Sequence, residues 1–137
     1  MKLIDTHNHL YLEDFDPKQD QLVSIAKESG IDALLLPNVD TTTIERMHDL
    51  CNRHPDFTYP MMGLHPTSVN EHYAGDLKAI EAWLGKRTYY GIGEIGIDLY
   101  WDKTHLKEQK EVFEEQLKWS IDLNLPVAIH TREAYSE

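Results

Sequence analysis

Two histidines lie one residue apart near the start of the chain, in the stretch Asp5-Thr-His-Asn-His-Leu10. They follow the short apolar run Leu3-Ile4, which we predict to be a strand. Side chains at positions i and i+2 of a strand point to the same face. His7 and His9 could therefore present two imidazoles to one point in space, although two such histidines can also be ordinary polar residues at the start of a loop.

Two further potential metal ligands follow later predicted strands. Glu94 lies among glycines in Gly91-Ile-Gly-Glu-Ile-Gly96, and glycines allow the close backbone approach that a crowded site needs. His130 directly follows the apolar run Val127-Ala-Ile129, where a hydrogen-bonded core residue and a metal ligand are equally expected. Active sites of parallel α/β folds collect at the C-terminal edge of the strands. Taken together at that edge, four side chains favour a metal site: His7, His9, Glu94 and His130.

This combination of side chains could hold metal ions that act on phosphate esters. Imidazole and carboxylate bind Zn²⁺, Mn²⁺ and related ions, and a carboxylate can bridge two ions that act on a phosphate ester. We expect His65 and Arg132 to hold a phosphate, although each alone is more simply a turn residue and a surface residue. If the first strand stays regular, Asp5 shares a face with His7. We therefore expect Asp5, and likewise Asp98, to orient the metal ligands.

Short apolar runs alternate with amphipathic stretches along the whole chain. We predict the runs to be buried parallel strands, because they are short, apolar on both faces and bounded by Gly or Pro. The amphipathic stretches are predicted helices, which parallel strands require as crossovers. Both a doubly wound sheet and a (β/α)₈ barrel fit this series. The predicted strands are Leu3–Ile4, Ala33–Leu36, Phe57–Met62, Tyr89–Ile92 and Val127–Ile129, and the predicted helices lie at about 17–29, 43–51, 76–84 and 105–123.

Composition restricts the partners that the protein can have. The net charge is −11 and the isoelectric point is near 5.0, which excludes a broad basic surface for duplex DNA. Contact with nucleic acid must therefore be local, where metal ions or a few arginines reverse the sign of the charge. No apolar run approaches the roughly 18 residues that span a bilayer. With one cysteine, Cys51, and an N-terminus that turns polar too soon for a secretory signal, we expect a cytoplasmic protein without membrane contact.

Four motifs follow one another along the chain and carry a family resemblance. They are Asp5-Thr-His-Asn-His-Leu10, Gly63-Leu-His-Pro66, Gly91-Ile-Gly-Glu-Ile-Gly-Ile-Asp98 and Leu125-Pro-Val-Ala-Ile-His-Thr-Arg-Glu-Ala134. With these motifs the chain resembles the TatD family of metal-dependent deoxyribonucleases, within the amidohydrolase-like hydrolases. Gln109, Phe113 and Gln116 also fall where that family has a helix with two glutamines and a phenylalanine.

The resemblance implies a (β/α)₈ TIM barrel with a two-metal site at its top, of which residues 1–137 would form about the first five strands as a single partial domain. By motif position, His7 and His9 would bind one ion, the catalytic Glu94 would bridge both, and His130 would bind the second. Similar proteins hydrolyse phosphodiester bonds in DNA, often as 3′-to-5′ exonucleases acting on single strands or 3′ ends. Their cofactors are two divalent ions, Mg²⁺, Mn²⁺ or Zn²⁺.

The chain departs from the family pattern in its length. A (β/α)₈ barrel typically needs about 250 residues, and the family's later metal-binding histidine and aspartate have no counterpart here. A half barrel would expose the edge of its last strand, so we expect this polypeptide to aggregate, to associate through that edge, or to be part of a longer protein. Two alternatives to a nuclease remain. One is a metal-dependent hydrolase of a small amide, lactone or phosphoester, although those barrels usually carry a carboxylated lysine where Glu94 stands. The other is an inactive fragment.

Overall fold

The structure is a computed structural model that describes residues 1–137. Five strands alternate with four α-helices, as predicted. The strands are β1 (Leu3–Asp5), β2 (Ile31–Pro37), β3 (Thr58–Met61), β4 (Ile92–Asp98) and β5 (Val127–Arg132). The helices are α1 (Gln19–Glu28), α2 (Ile44–Arg53), α3 (Tyr73–Leu84) and α4 (Leu106–Leu123), with short 3₁₀ turns at Glu13–Phe15 and Pro66–Ser68. None of the helices combines the length and the apolar character needed to cross a membrane.

All strand pairs are parallel and follow the order of the chain. Strand β2 pairs with β1 on one side and with β3 on the other, and β4 pairs with β5. A single parallel bridge between Met62 and Ile92 joins the two groups. A doubly wound sheet reverses its strand order at a switch point, and no reversal occurs between β1 and β5. Of the two architectures that fit the sequence, the observed order therefore lacks the reversal that defines a doubly wound sheet.

The prediction for the fourth strand was wrong in its position. We expected a strand at Tyr89–Ile92 followed by a glycine-rich loop, but the glycine-rich segment is itself β4, and all of its residues are buried. Its glycines mark close packing against β5. A Cβ atom at Gly93 would lie 2.8 Å from the Cβ of Ala128, and one at Gly96 would collide with the carbonyl oxygen of His130. Glu94 therefore projects from within β4, between two glycines that pack closely against β5.

Two buried glutamines of α4 attach this helix to the C-terminal edge of the sheet. The side chain of Gln109 accepts a hydrogen bond from the backbone N–H of Asp98 over 2.9 Å and donates to the Asp98 carbonyl over 3.1 Å. Gln116 makes the same pair of bonds with the backbone of Leu64, over 2.7 and 3.2 Å. Each amide thus satisfies both the N–H and the C=O of one buried residue. The helix thereby holds the end of β4 and the loop that carries His65.

Hydrophobic packing joins the remaining helices to the sheet. The main core is a cluster of 19 buried residues that includes Tyr11, Leu36, Met47, Ile80, Ile95 and Trp119. It draws side chains from the helices and from the strands. The helices are thereby packed against the sheet whose edge bears the polar side chains. The fold class, α/β with parallel strands, is as the sequence predicts.

Replacing Gly96 with alanine tests the close contact between β4 and β5. Gly96 has a φ of +143°, which L-residues rarely adopt, and a Cβ atom there would meet the His130 backbone. We expect Gly96→Ala to lower the free energy of unfolding of the full-length protein by about 2 kcal/mol or more, measured by urea denaturation. The control is Gly75→Ala in α3, where the added methyl group meets nothing within 4 Å and should stabilise the helix by up to about 1 kcal/mol. Equal stability of the two variants would contradict this account.

Candidate metal centre

The carboxylate of Glu94 lies among four histidine rings at the C-terminal edge of the strands. Its Oε2 atom is 2.9 Å from His7 Nε2 and 3.2 Å from His9 Nε2. Its Oε1 atom is 3.1 Å from His130 Nδ1 and 3.5 Å from His65 Nε2. The Glu94 side chain is only 7% exposed. Each carboxylate oxygen thus faces its own pair of imidazoles.

A hydrogen-bonded loop brings His7 and His9 together. We expected strand periodicity to align them, but β1 ends at Asp5. The carboxylate of Asp5 accepts hydrogen bonds from the His7 backbone N–H over 3.1 Å and from the Asn8 side chain over 2.9 Å, and Asn8 in turn accepts from the Leu10 N–H. Asp5 therefore holds the main chain of the loop and not the His7 ring, which is where we had expected it to act.

Tyr11 determines which nitrogen of His9 carries the proton. Its hydroxyl donates to the carbonyl oxygen of Pro37, so it accepts the hydrogen bond that joins it to His9 Nδ1 over 2.9 Å. Burial and the charge of Glu94 raise the pKa of Tyr11 far above its usual value, so the hydroxyl keeps its proton. The proton of a neutral His9 ring is therefore on Nδ1, and Nε2 presents a lone pair to Glu94.

Asp98 has the corresponding role for His130. It accepts a hydrogen bond from His130 Nε2 over 2.8 Å, and two backbone N–H groups, of Tyr100 and Trp101, donate to its other oxygen. Burial alone would raise the pKa of Asp98, but these hydrogen bonds outweigh burial and lower it. Asp98 is therefore an acceptor, and a neutral His130 ring points the lone pair of its Nδ1 at Glu94. Such a contact is typical of a carboxylate that orients a metal-binding histidine.

These tautomers make the site suitable for cations. The lone pairs of His9 Nε2 and His130 Nδ1 both face carboxylate oxygens, which is repulsive unless positive charge lies between them. The Nε2 atoms of His7 and His9 are 3.0 Å apart, close to the about 3.3 Å between two nitrogen ligands of one tetrahedral Zn²⁺. Two groups of potential ligand atoms each lie within 4.8 Å of one another, namely His7, His9 and Glu94, and His65, Glu94 and His130. The donor set fits divalent metal ions.

His65 differs from His9 and His130 in its tautomer. Its Nδ1 accepts a hydrogen bond from the backbone N–H of Thr67 over 3.2 Å. Because a backbone N–H can only donate, the proton of a neutral ring is on Nε2, the atom that faces Glu94. A neutral His65 therefore offers the site an N–H donor and not a lone pair. Such a donor suits an anion, for example a phosphate oxygen, better than it suits a cation.

The surrounding histidines also set the charge of Glu94. Burial alone would raise the pKa of its carboxyl group. Contacts with the His65 and His9 rings, together with the electrostatic influence of His65 and His7, outweigh burial and hold the pKa of Glu94 far below its usual value. Glu94 is therefore an anion, as a metal-binding carboxylate must be.

Arg132 lies at the end of β5, next to this cluster. Its guanidinium carbon is 3.6 Å from the centre of the Tyr100 ring and 5.5 Å from the centre of the Trp101 ring. Stacking of this kind uses the flat face of the guanidinium and leaves its in-plane N–H groups free. The structure thus places Arg132 among aromatic side chains, with donors still available to an anion.

Tyr11 and Thr67 act on the cluster but were not among the predicted site residues. Thr67 had a signal in the sequence, because the proline that follows His65 favours a short helical turn, whose second N–H can bond back to the side chain before it. For Tyr11 the signal was weaker. Its position two residues after His9 is visible, but its contact with Pro37 depends on the pairing of distant strands.

Removing the hydroxyl of Tyr11 tests its control of His9. In Tyr11→Phe the Nδ1–H of His9 loses its acceptor, so the ring is no longer held in one tautomer and orientation. We expect the affinity of the full-length protein for Mn²⁺, measured by isothermal titration calorimetry, to fall about 10- to 100-fold. Tyr59→Phe is the control, because that hydroxyl bonds the carbonyl of Asp56 near the opposite end of the sheet. Wild-type affinity in Tyr11→Phe would show that Tyr11 does not support a metal ligand.

Comparisons with known proteins identify the family of the chain. Residues 4–137 match the family model described as TatD related DNase. An uncharacterized metal-dependent hydrolase of Bacillus subtilis, YabD, is 33% identical over 132 residues, which cover 96% of this chain and 51% of that protein. The 3'-5' ssDNA/RNA exonuclease TatD of Pantoea ananatis is 26% identical over 133 residues, which cover 97% of this chain and 51% of that protein. The chain thus spans about half the length of these relatives.

Two solved structures of TatD family proteins also resemble this chain. The crystal structure of YJJV, a TatD homolog from Escherichia coli, superposes with a TM-score of 0.86 and 28% sequence identity, covering 96% of this chain and 51% of that one. A TatD family hydrolase from Entamoeba histolytica, with a TM-score of 0.75 and 18% identity, covers 99% of this chain and 52% of that one and shares the fold. Since the family model spans residues 4–137, nearly the whole chain, the chain belongs to the TatD-related DNase family.

Proposed function

We propose that the full-length protein is a metal-dependent hydrolase that cleaves phosphodiester bonds, acting as a TatD-like deoxyribonuclease on the 3′ ends of single-stranded DNA. One observation carries the proposal. A buried, ionised carboxylate turns each of its two oxygens toward a separate pair of imidazoles, which is the donor arrangement that suits two cations sharing one bridge. A relative named as a 3'-5' ssDNA/RNA exonuclease supports the choice of substrate.

The proposal includes a closed (β/α)₈ barrel, to which residues 1–137 would contribute the first five strands as a single domain. Three observations support it. Strands β1 to β5 are parallel and in chain order, the E. coli TatD homolog has a closely similar structure over this half, and both edge strands carry exposed apolar side chains. Ile4 of β1 is 54% exposed and Ile129 of β5 is 53% exposed, as expected of surfaces that further strands would cover.

Different residues of this chain would bind each of two divalent ions, Mg²⁺, Mn²⁺ or Zn²⁺. His7 and His9 would hold one ion, His130 the other, and Glu94 both. When bound, such ions stabilise charge on a phosphate group and lower the pKa of water. Tyr11 and Asp98 keep His9 and His130 in the tautomers that binding requires, and the buried Glu94 remains ionised.

His65 and Arg132 complete the proposed site as anion-binding groups. The Nε2–H of His65 is directed at the Glu94 carboxylate and would donate to a phosphate oxygen placed there. Arg132 has free in-plane donors at the neighbouring strand end and would hold the next phosphate. With a net charge of −11, the protein would attract a nucleic acid only at this spot and only when the metal ions are bound. The proposed compartment is the cytoplasm, where an unpaired, buried cysteine such as Cys51 is usual.

Replacing Glu94 tests the proposed activity. In Glu94→Ala both ion positions lose their shared ligand, and we expect nucleotide release from single-stranded DNA with Mg²⁺ or Mn²⁺ to fall about 100-fold or more in kcat/KM. A chelator should abolish the wild-type activity. Glu28→Ala, which removes an exposed carboxylate from α1, is the matched control and should behave as wild type.

Two outcomes would contradict the proposal. Nucleotide release that persists in Glu94→Ala would show that Glu94 does not take part in the reaction. Hydrolysis of small esters or lactones without any hydrolysis of DNA would select the alternative, a small-molecule hydrolase on the same scaffold.

A further inference from the structure

Two large aromatic side chains project into solvent directly after β4. Tyr100 is 48% exposed and Trp101 is 72% exposed. Their rings are perpendicular, with centroids 4.8 Å apart. An indole ring in water leaves a large apolar area uncovered, and such surfaces often mark binding sites. The two rings are therefore candidates for a contact with a ligand.

The aromatic pair is fixed to the metal centre through Asp98. One oxygen of Asp98 accepts hydrogen bonds from the backbone N–H groups of Tyr100, over 2.9 Å, and Trp101, over 3.4 Å. The other oxygen of the same carboxylate accepts from the His130 ring. A single carboxylate thus connects the histidine that faces Glu94 with the start of the aromatic loop, so the distance between the two features is fixed.

Arg132 holds the pair from the side of β5. The Leu99 N–H donates to the Arg132 carbonyl over 2.9 Å, and the guanidinium lies over the Tyr100 ring. Tyr100 is consequently covered on one face by a cation, whereas most of the indole of Trp101 remains open. The arrangement consists of a rigid support, an open aromatic face and, at its edge, free N–H donors of an arginine.

The charges around this loop are balanced and not basic. Lys103 and Arg132 are accompanied in sequence by Asp102 and Glu133, all of them exposed. A phosphate backbone would therefore gain little from general electrostatic attraction here. An aromatic face binds any base through its π-system, independently of sequence and of net charge. Stacking is thus the interaction that the acidic protein has available at this place.

We propose that Trp101, supported by Tyr100 and Arg132, is a stacking platform for one nucleobase of the strand that is hydrolysed at the adjacent metal centre. This inference rests on the proposed nuclease function. Tyr100 and Arg132 position the indole, and Arg132 contacts the phosphate next to the stacked base.

Steady-state kinetics of the full-length protein test the platform. The substrates are a single-stranded oligonucleotide and the same oligonucleotide with abasic residues at its 3′ end. We expect Trp101→Ala to raise KM for the normal strand on the order of tenfold, with a much smaller change in kcat, because stacking is retained throughout the reaction. Trp101→Phe should recover most of the loss. Removing the bases should impair the wild type but add little to the defect of Trp101→Ala.

Salt dependence separates the two parts of the platform. Trp101→Ala should leave the slope of log KM against log salt concentration unchanged, since stacking releases no counterions. Arg132→Ala should reduce the magnitude of that slope by about 0.7, as expected for one phosphate contact on a single strand. Tyr135→Ala, which removes an aromatic ring that is 90% exposed in the next loop, is the control and should change neither KM nor the slope.

Binding without hydrolysis makes the platform testable separately from the nuclease function. In the presence of Mg²⁺, a phosphorothioate oligonucleotide that resists hydrolysis should quench the tryptophan fluorescence of the wild type but not that of Trp101→Ala. Trp119 is only 6% exposed and Trp83 of α3 packs against His48, so neither should respond. Quenching by thymidine monophosphate as strong as that by the oligonucleotide would assign the platform to a free nucleotide instead of a strand.

The outcomes distinguish the two claims. If the wild type hydrolyses DNA and Trp101→Ala has an unchanged KM on both substrates, the platform is refuted while the nuclease function stands. If quenching depends on Trp101 but no DNA is hydrolysed, the platform stands and the nuclease function is refuted. Absence of both hydrolysis and quenching refutes both.

Discussion

The structure is organised around a buried negative charge that needs positive partners. A carboxylate as deeply buried as that of Glu94 is costly unless it is paired, and four imidazoles converge on it from two different loops and from β5. Glu94 itself sits in the middle of a strand whose every residue is buried. It therefore cannot turn away into solvent, and the surrounding side chains must supply the compensating charge, either as protons or through metal ions.

Other parts of the fold serve to keep these partners in place. Gln109 and Gln116 of α4 bind the backbone at the end of β4 and beside His65, and Gly96 lets β5 approach so closely that His130 faces Glu94. Tyr11 and Asp98 decide which nitrogens of His9 and His130 are available. The consequence is a division among the histidines, in which two present lone pairs and His65 presents a proton. That division separates groups suited to cations from a group suited to phosphate.

Sequence patterns predicted the α/β order, the four helices and the clustering of His7, His9, Glu94 and His130, because these depend on periodicity and on where strands end. They failed where a contact between distant segments decides the outcome. The glycines around Glu94 resembled a loop, since the packing of β5 against them is invisible locally, and β4 was misplaced. His7 and His9 meet through the hydrogen bonds of Asp5 and Asn8 and not through strand alternation. Their binding of metal remains a prediction.

Anomalous diffraction from crystals of the full-length protein grown with Mn²⁺ tests the central claim most directly. The account predicts two peaks on either side of the Glu94 carboxylate, one ligated by Nε2 of His7 and His9 and one by Nδ1 of His130, with His65 outside the ligand set. Direct His–Glu94 hydrogen bonds that persist in the presence of Mn²⁺, or peaks that avoid Glu94, would contradict it.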